Sequence, residues 1–156
     1  MKIARLTLSD RASAGIYEDL SGPEIERIIS EAGFGTPQWI RLVMPDDRDD
    51  IENLLRKLSD EDQCDLILTT GGTGPSRRDN TPEATKAVID RELPGFGEIM
   101  RMKSFQAVPT AILSRSTAGT RGRSLIVNLP GKPKAIGECL PMLIPAIIEA
   151  LRHLKD

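Results

Sequence analysis

Histidine is nearly absent: the 156-residue chain carries one, His153, close to its C-terminus. That scarcity argues against a zinc site built on imidazoles and against a Ser-His-Asp triad, because a ring on a fraying terminal turn is not held in fixed geometry. Cysteine is almost as scarce. Cys64 and Cys139 lie far apart, form no CxxC and sit in apolar neighbourhoods, which reads as two buried, reduced thiols of a cytoplasmic protein rather than as metal ligands. Long apolar runs are missing too. Met1 to Ser9 holds a lysine and an arginine without the apolar stretch of a signal peptide, and the most apolar segment, Cys139 to Ile148, is interrupted by Pro141 and Pro145, so no membrane partner is expected. Nor is there an excess of positive charge. A net charge of -2 gives no global attraction to nucleic acid, and any anion site must be local.

What remains is an ordinary globular composition, 39% hydrophobic and 28% charged, over a length that suits one domain spanning 1–156. Short apolar runs alternate with helical patterns. KIARLTL precedes a helix pattern from about 22 to 32, WIRLVM one from about 49 to 58, and CDLILTT a glycine-rich loop and a helix opening at Thr81-Pro82. Such alternation predicts a mostly parallel sheet covered by helices on both faces, with LILTT buried. Thr81 reads as an N-cap before Pro82 at the first helical position. Further along, FGEIMRMKSF reads as a helix with Phe96, Ile99, Met100 and Lys103 on one face. TAILS (110–114) and SLIVNL (124–129) read as strands joined by the hairpin-like segment RSTAGTRGR. The last helix begins at Pro133 and points Ile136, Leu140, Leu143, Ile144, Ile147, Ile148 and Leu151 toward a core.

In an open α/β sheet, ligands bind beyond the carboxyl ends of the strands. Four loops follow strands here: Ser9-Asp10-Arg11, Pro45-Asp46-Asp47, GGTGPSRRD (71–79), and Asn128-Leu129-Pro130-Gly131-Lys132-Pro133. The glycine loop has neither GxGxxG nor Walker A spacing. Gly71, Gly72, Thr73 and Gly74 would serve a tight turn at positive φ, or would let backbone N–H groups converge on a phosphate. Arg77 and Arg78 favour the phosphate, since planar guanidinium forks match its oxygens. Asp79 would repel that phosphate unless a divalent cation such as Mg²⁺ lay between them, and its bland alternative is a favourable charge near a helix start. In the acidic run Asp46 to Asp50, Asp47 or Asp49 suits a helix cap. Asp46, fixed by Pro45, is best placed to reach a site. Lys132 and Lys134 sit where a helix N-terminus disfavours cations, a conflict that an arriving anion would relieve.

LILTTGGTGPSRRDNTPEAT, ELPGFGEIMR, AILSR and LIVNLPGKPKAI together closely resemble the molybdopterin adenylyltransferase family, which includes MogA and the G domain of gephyrin. The resemblance runs from the first strand to the final helix. It implies a three-layer αβα fold, commonly trimeric, that takes molybdopterin and ATP, transfers AMP from Mg-ATP to the terminal phosphate of molybdopterin, and hands the product to a molybdenum-inserting partner protein. It assigns catalysis and Mg²⁺ to Asp46 and Asp79. It puts Gly71, Gly72, Thr73 and Gly74 at the nucleotide and pterin phosphate site, to which the residue chemistry adds Arg77, Arg78, Gly131 and Lys132, and it puts Ser104, Ser114, Asn128 and Pro130 in the pterin pocket. A related branch, MoaB-like, includes members without transfer activity, and the gephyrin domain also acts as a scaffold. Both acidic positions are filled here, which favours activity.

Overall fold

The computed structural model describes residues 1–156. In chain order its elements are β1 (Lys2–Leu8), α1 (Asp10–Ser13), α2 (Ser21–Glu31), β2 (Gln38–Met44), α3 (Arg48–Asp60), β3 (Leu66–Thr70), α4 (Thr81–Val88), β4 (Arg91–Glu92), α5 (Gly95–Phe105), a 3-10 turn (Pro109–Leu113), β5 (Ala118–Arg121), β6 (Ser124–Leu129) and α6 (Pro133–His153). They build one six-stranded sheet in the order β2-β1-β3-β6-β5-β4. The pairs β1–β2, β1–β3 and β3–β6 are parallel, whereas β5 runs antiparallel to both β6 and β4.

Alternation along the strands feeds two cores. Ile3, Leu66, Leu68, Leu125, Val127 and Leu129 pack against α2, α5 and α6. Ala4, Leu6, Leu8, Ile67 and Ile126 pack against α3 and α4. A strand covered on both faces is mostly apolar, and β3 and β6 are buried at every position, with their polar Thr70, Ser124 and Asn128 side chains hydrogen-bonded inside. The result is the expected three-layer αβα sandwich. Asp47 caps α3 by accepting from the Asp50 N–H, as its place in the acidic run suggested.

Several local expectations fail for physical reasons. TAILS is not a strand: Pro109 opens a 3-10 turn whose Ile112 and Leu113 are exposed and have no sheet neighbour. The hairpin partner of β6 is instead β5, inside the segment read as a connection, and the turn is only the two residues Gly122 and Arg123. Thr81 is not the cap of α4. Its hydroxyl donates to the Gly71 carbonyl at 2.9 Å, and Asn80, in the capping position, turns its side-chain amide to the Asp46 and Arg78 carbonyls instead of capping the helix. In α5, Ile99 and Lys103 face solvent while Gly97 and Met100 are buried. A Cβ at residue 97 would strike the Ser116 carbonyl, so close packing at this glycine sets the rotation of the helix. Finally, α6 runs unbroken through Pro141 and Pro145, both on its exposed side, where Ile148 also lies. No helix is long and apolar enough to cross a membrane.

Candidate active site

Strand order reverses at β1, which has β2 on one side and β3 on the other. At such a point the loops leaving the strands diverge to opposite faces and open a crevice. The loops after β1, β2 and β3 meet there. Gly71 has φ +94°, and a Cβ on it would run into the Leu8 carbonyl oxygen; Gly72 has φ +65°, and its Cβ would lie 2.8 Å from Asp46 Oδ1. The glycine pair therefore serves a turn and a close approach at once. It lets the third loop lie directly against the ends of the first two strands.

Two recesses open on this floor. One, of about 450 Å³, is bounded by Thr70, Gly71, Gly72 and Asp46 below, by Tyr17, Asp19 and Leu20 at the side, and by Gly131 and Lys132. The other, of about 230 Å³, is lined by Thr73, Met100, Ser104, Ala111, Ser114 and Pro130, and again by Gly131 and Lys132. The two thus share the loop that leads from β6 into α6. That loop is pinned from below, because Thr70 donates its hydroxyl to the Pro130 carbonyl at 2.6 Å and Ser21 donates to the Gly131 carbonyl at 2.7 Å.

Asp46 is 9% exposed. Its N–H donates to Asp10 Oδ1 at 3.0 Å and its Oδ2 accepts from the Asp10 N–H at 3.3 Å, while its Oδ1 is buried with no partner. Burial pushes the Asp46 carboxyl above its ordinary range, and the negative charges of Asp10 and Asp79 push in the same direction. Asp79 closes a small turn, with its N–H donating to the Ser76 carbonyl and its Oδ2 accepting from the Ser76 N–H, each at 3.0 Å. No three acidic, thiol or imidazole groups converge to cage a metal. Two neighbouring carboxylates, one with an orphaned oxygen, nevertheless fit Mg²⁺, which keeps several waters and completes its shell with phosphate oxygens.

The remaining expected residues divide. Arg78 is latched onto Asp10 through Nη2 at 2.7 Å and Nε at 3.0 Å, which holds the Asp10 carboxyl below its usual value. Arg77 is exposed and makes no hydrogen bond or ion pair within the chain. Asn128 lines neither recess. It is fully buried, donating to the Thr69 and Thr85 hydroxyls at 3.1 and 2.9 Å and accepting from the Thr117 N–H, because its place in β6 turns it toward α4. Its side chain spends its hydrogen bonds beneath the site.

The sequence places Asp10 in the loop after β1 but gives it no role of its own, and it does not single out Asp19, Glu83, Arg101 or Arg115. Asp19 carries only a local signal, an aspartate accepting from the Gly22 N–H at the start of α2, while its pairing with Arg5 at 2.9 Å and its bond from the Thr7 hydroxyl depend on the fold.

Residues 4–151 match the family model described as "Probable molybdopterin binding domain". The chain is 58% identical over 145 residues to the molybdopterin adenylyltransferase of Helicobacter pylori J99, covering 93% of this chain and 82% of that protein. It is 51% identical over 141 residues to the Escherichia coli K12 protein of the same name, covering 90% and 72%. Among solved structures, the molybdopterin biosynthesis enzyme MoaB of Thermus thermophilus superposes with a TM-score of 0.88 at 41% identity, over 98% of this chain and 95% of that one. A switch-point crevice with two joined recesses, the GGTGPSRRD and NLPGKP loops on its floor, and likeness across almost the whole chain lead to one conclusion: the chain belongs to the MogA/MoaB family of molybdopterin-binding proteins.

Proposed function

We propose that this protein is a molybdopterin adenylyltransferase acting in molybdenum cofactor biosynthesis, in which AMP passes from ATP to the terminal phosphate of molybdopterin and pyrophosphate leaves. One observation carries the reading. Two recesses of unequal size share the Gly131–Lys132 loop, and the buried Asp46 carboxylate lies at the floor of the larger one. A two-substrate transfer needs such an arrangement, with nucleotide and acceptor arriving from either side of a single junction.

The larger recess takes ATP and the smaller the pterin, with Ser104 and Ser114 on its wall. The attacking group is a phosphate oxygen that is already ionised at neutral pH, so no side-chain nucleophile is required and the scarcity of histidine is no obstacle. It forms a bond to the α-phosphorus as the bond from that phosphorus to the α,β-bridging oxygen breaks, and the electron pair leaves with pyrophosphate. Backbone N–H groups of Gly71, Gly72 and Gly74 orient phosphate oxygens, and Lys132 reaches charge on both sides of the junction. Arg77, free of internal partners, is available to the departing phosphates. Mg²⁺ bound by Asp46 and Asp79 would neutralise charge spreading onto the pyrophosphate. Product then passes to a molybdenum-inserting partner protein. Two buried, unpaired cysteines suit the cytoplasm, and exposed apolar side chains on α5 suit a homotrimer.

The test is pyrophosphate release from Mg-ATP with and without purified molybdopterin, with mass detection of the adenylylated product. Release is expected to require pterin and Mg²⁺ together. Asp46→Asn and Asp79→Asn should each retain pterin binding and lose more than about 100-fold in turnover, beyond the roughly 10–100-fold typical of groups that only support a metal ligand. Pterin binding without any pyrophosphate would instead make this a binding protein of the MoaB-like kind.

A further inference from the structure

The turn that carries Asp79 is bonded within itself by the Ser76, Asp79 and Asn80 side chains, and the carbonyls at its two ends are taken by one side chain from outside it. Arg115 Nε donates to the Gly74 carbonyl at 2.9 Å and its Nη2 donates to the Asp79 carbonyl at 2.8 Å. One guanidinium therefore bridges both ends of the segment from Gly74 to Asp79. Its remaining amine, Nη1, is paired with Glu83 in the first turn of α4, and the Arg115 N–H donates to the Thr73 carbonyl at 2.8 Å. The other flank is held as well, since Arg101 Nη1 donates to the carbonyls of Ser114 and Ser116 at 3.3 and 2.9 Å.

This geometry has chemical content. A planar fork bonded to two carbonyls fixes their separation and direction, which an ammonium with one compact charge cannot do. The Thr73 carbonyl held by the Arg115 N–H shares a peptide plane with the Gly74 amide and so aims it, while the bond to the Asp79 carbonyl holds the residue whose carboxylate oxygen would lie 2.9 Å from a Cβ placed on Gly74. Arg115 also follows Ser114, which lines the smaller recess together with Thr73. The clamp thus ties the wall of one recess to the loop on the floor of the other.

We propose that Arg115 is a positioning residue for adenylyl transfer, holding the Gly74–Asp79 turn in the geometry that presents Asp79 to the metal-nucleotide, with Glu83 fixing the orientation of its guanidinium. The proposal rests on the reading of Asp79 given above. Arg115 itself touches neither recess in the way a catalytic group would.

The experiment compares Arg115→Met, Arg115→Lys and Glu83→Gln with the unchanged protein and with Asp79→Asn. It measures thermal unfolding, amide hydrogen exchange at residues 74–80, and the Mg²⁺ dependence of pyrophosphate release. Arg115→Met should raise the half-saturating Mg²⁺ concentration or lower turnover by roughly 10–100-fold, the range for groups that orient metal ligands. It should also lose exchange protection at the Asp79 amide, which now bonds to the Ser76 carbonyl. Arg115→Lys should recover thermal stability without recovering the Mg²⁺ dependence. If the methionine variant does not fold, the lysine variant and Glu83→Gln carry the test, the latter shifting in the same direction by less. A wild-type Mg²⁺ dependence with wild-type exchange in the folded variants overturns the proposal. Unchanged turnover in Asp79→Asn would instead sink the active-site reading, and hydrogen exchange would still judge the clamp.

Discussion

The residue with the least freedom in the site is Gly71. Its φ of +94° is unfavourable for any side chain, and the space a Cβ would fill is taken by the Leu8 carbonyl. Gly71→Ala therefore has to move either the glycine loop or the end of β1. Strain of this kind costs on the order of 1–3 kcal/mol, which for a domain of this size lowers the melting temperature by roughly 3–10 °C. Both recesses should suffer, because Gly71 Cα lies 3.5 Å from the position of a Cβ on Gly131, which lines both. The expected outcome is a folded, less stable protein with weakened ATP binding, read by differential scanning calorimetry and nucleotide titration. A melting temperature and an ATP affinity equal to those of the unchanged protein would remove Gly71 from the account. Neighbouring Asp46 shows the same economy of space: its Oδ1 would lie 2.8 Å from a Cβ on Gly72, so the glycine that opens the loop also makes room for the carboxylate.

Among the elements, α6 is the one that local preference opposes. Two prolines four residues apart lie inside a 21-residue helix, each removing a donor and crowding the preceding turn. Both face outward, whereas the inner side carries Ile136, Cys139, Leu140, Leu143, Ile147 and Leu151. Burial of that stripe overrides the prolines, and Pro141→Ala or Pro145→Ala should raise stability by about 1–3 kcal/mol, a part of the roughly 3 kcal/mol by which proline is disfavoured relative to alanine. Thermal unfolding checks this, and a fall in melting temperature in both variants would mean that the prolines serve a contact outside the chain. The same contrast explains what could be read before the fold was known. β1 and β6 were legible to the residue and the inner stripe of α6 nearly so, because periodicity records burial. TAILS misled because its apolar side chains are exposed, and β5 was missed because AGTR has turn-like composition and becomes a strand only through its neighbours. At the candidate site, loop chemistry singles out Asp46, Asp79 and the glycines, which the fold sets at the ends of β2 and β3. It does not single out Arg115 and Arg101, since their partners are backbone carbonyls 13 to 41 residues away in sequence.

For the molecule as a whole, the open question is what covers the outer side of α5 and the turn that follows it. Ile99, Met102, Phe105, Ile112 and Leu113 are between 44% and 65% exposed, a density of large apolar groups that a monomer's surface seldom leaves to water. The segment lies beside the smaller recess, of which Ser104 and Ala111 form part of the lining, so any neighbour that covers it would also rigidify the wall of the pterin site. The homotrimer proposed above would supply further copies of this chain as the neighbours, in a closed ring rather than an open chain. Sedimentation equilibrium should then give three times the 17.1 kDa chain mass. The double variant Met102→Glu and Phe105→Glu should give a folded monomer, since buried charges without partners would oppose association while neither side chain contributes to either core. Molybdopterin affinity should fall in that variant with little change in ATP affinity, because only the smaller recess borders the patch. A monomeric unchanged protein, or a charged variant that keeps the mass of the assembly, would show that this surface has another use.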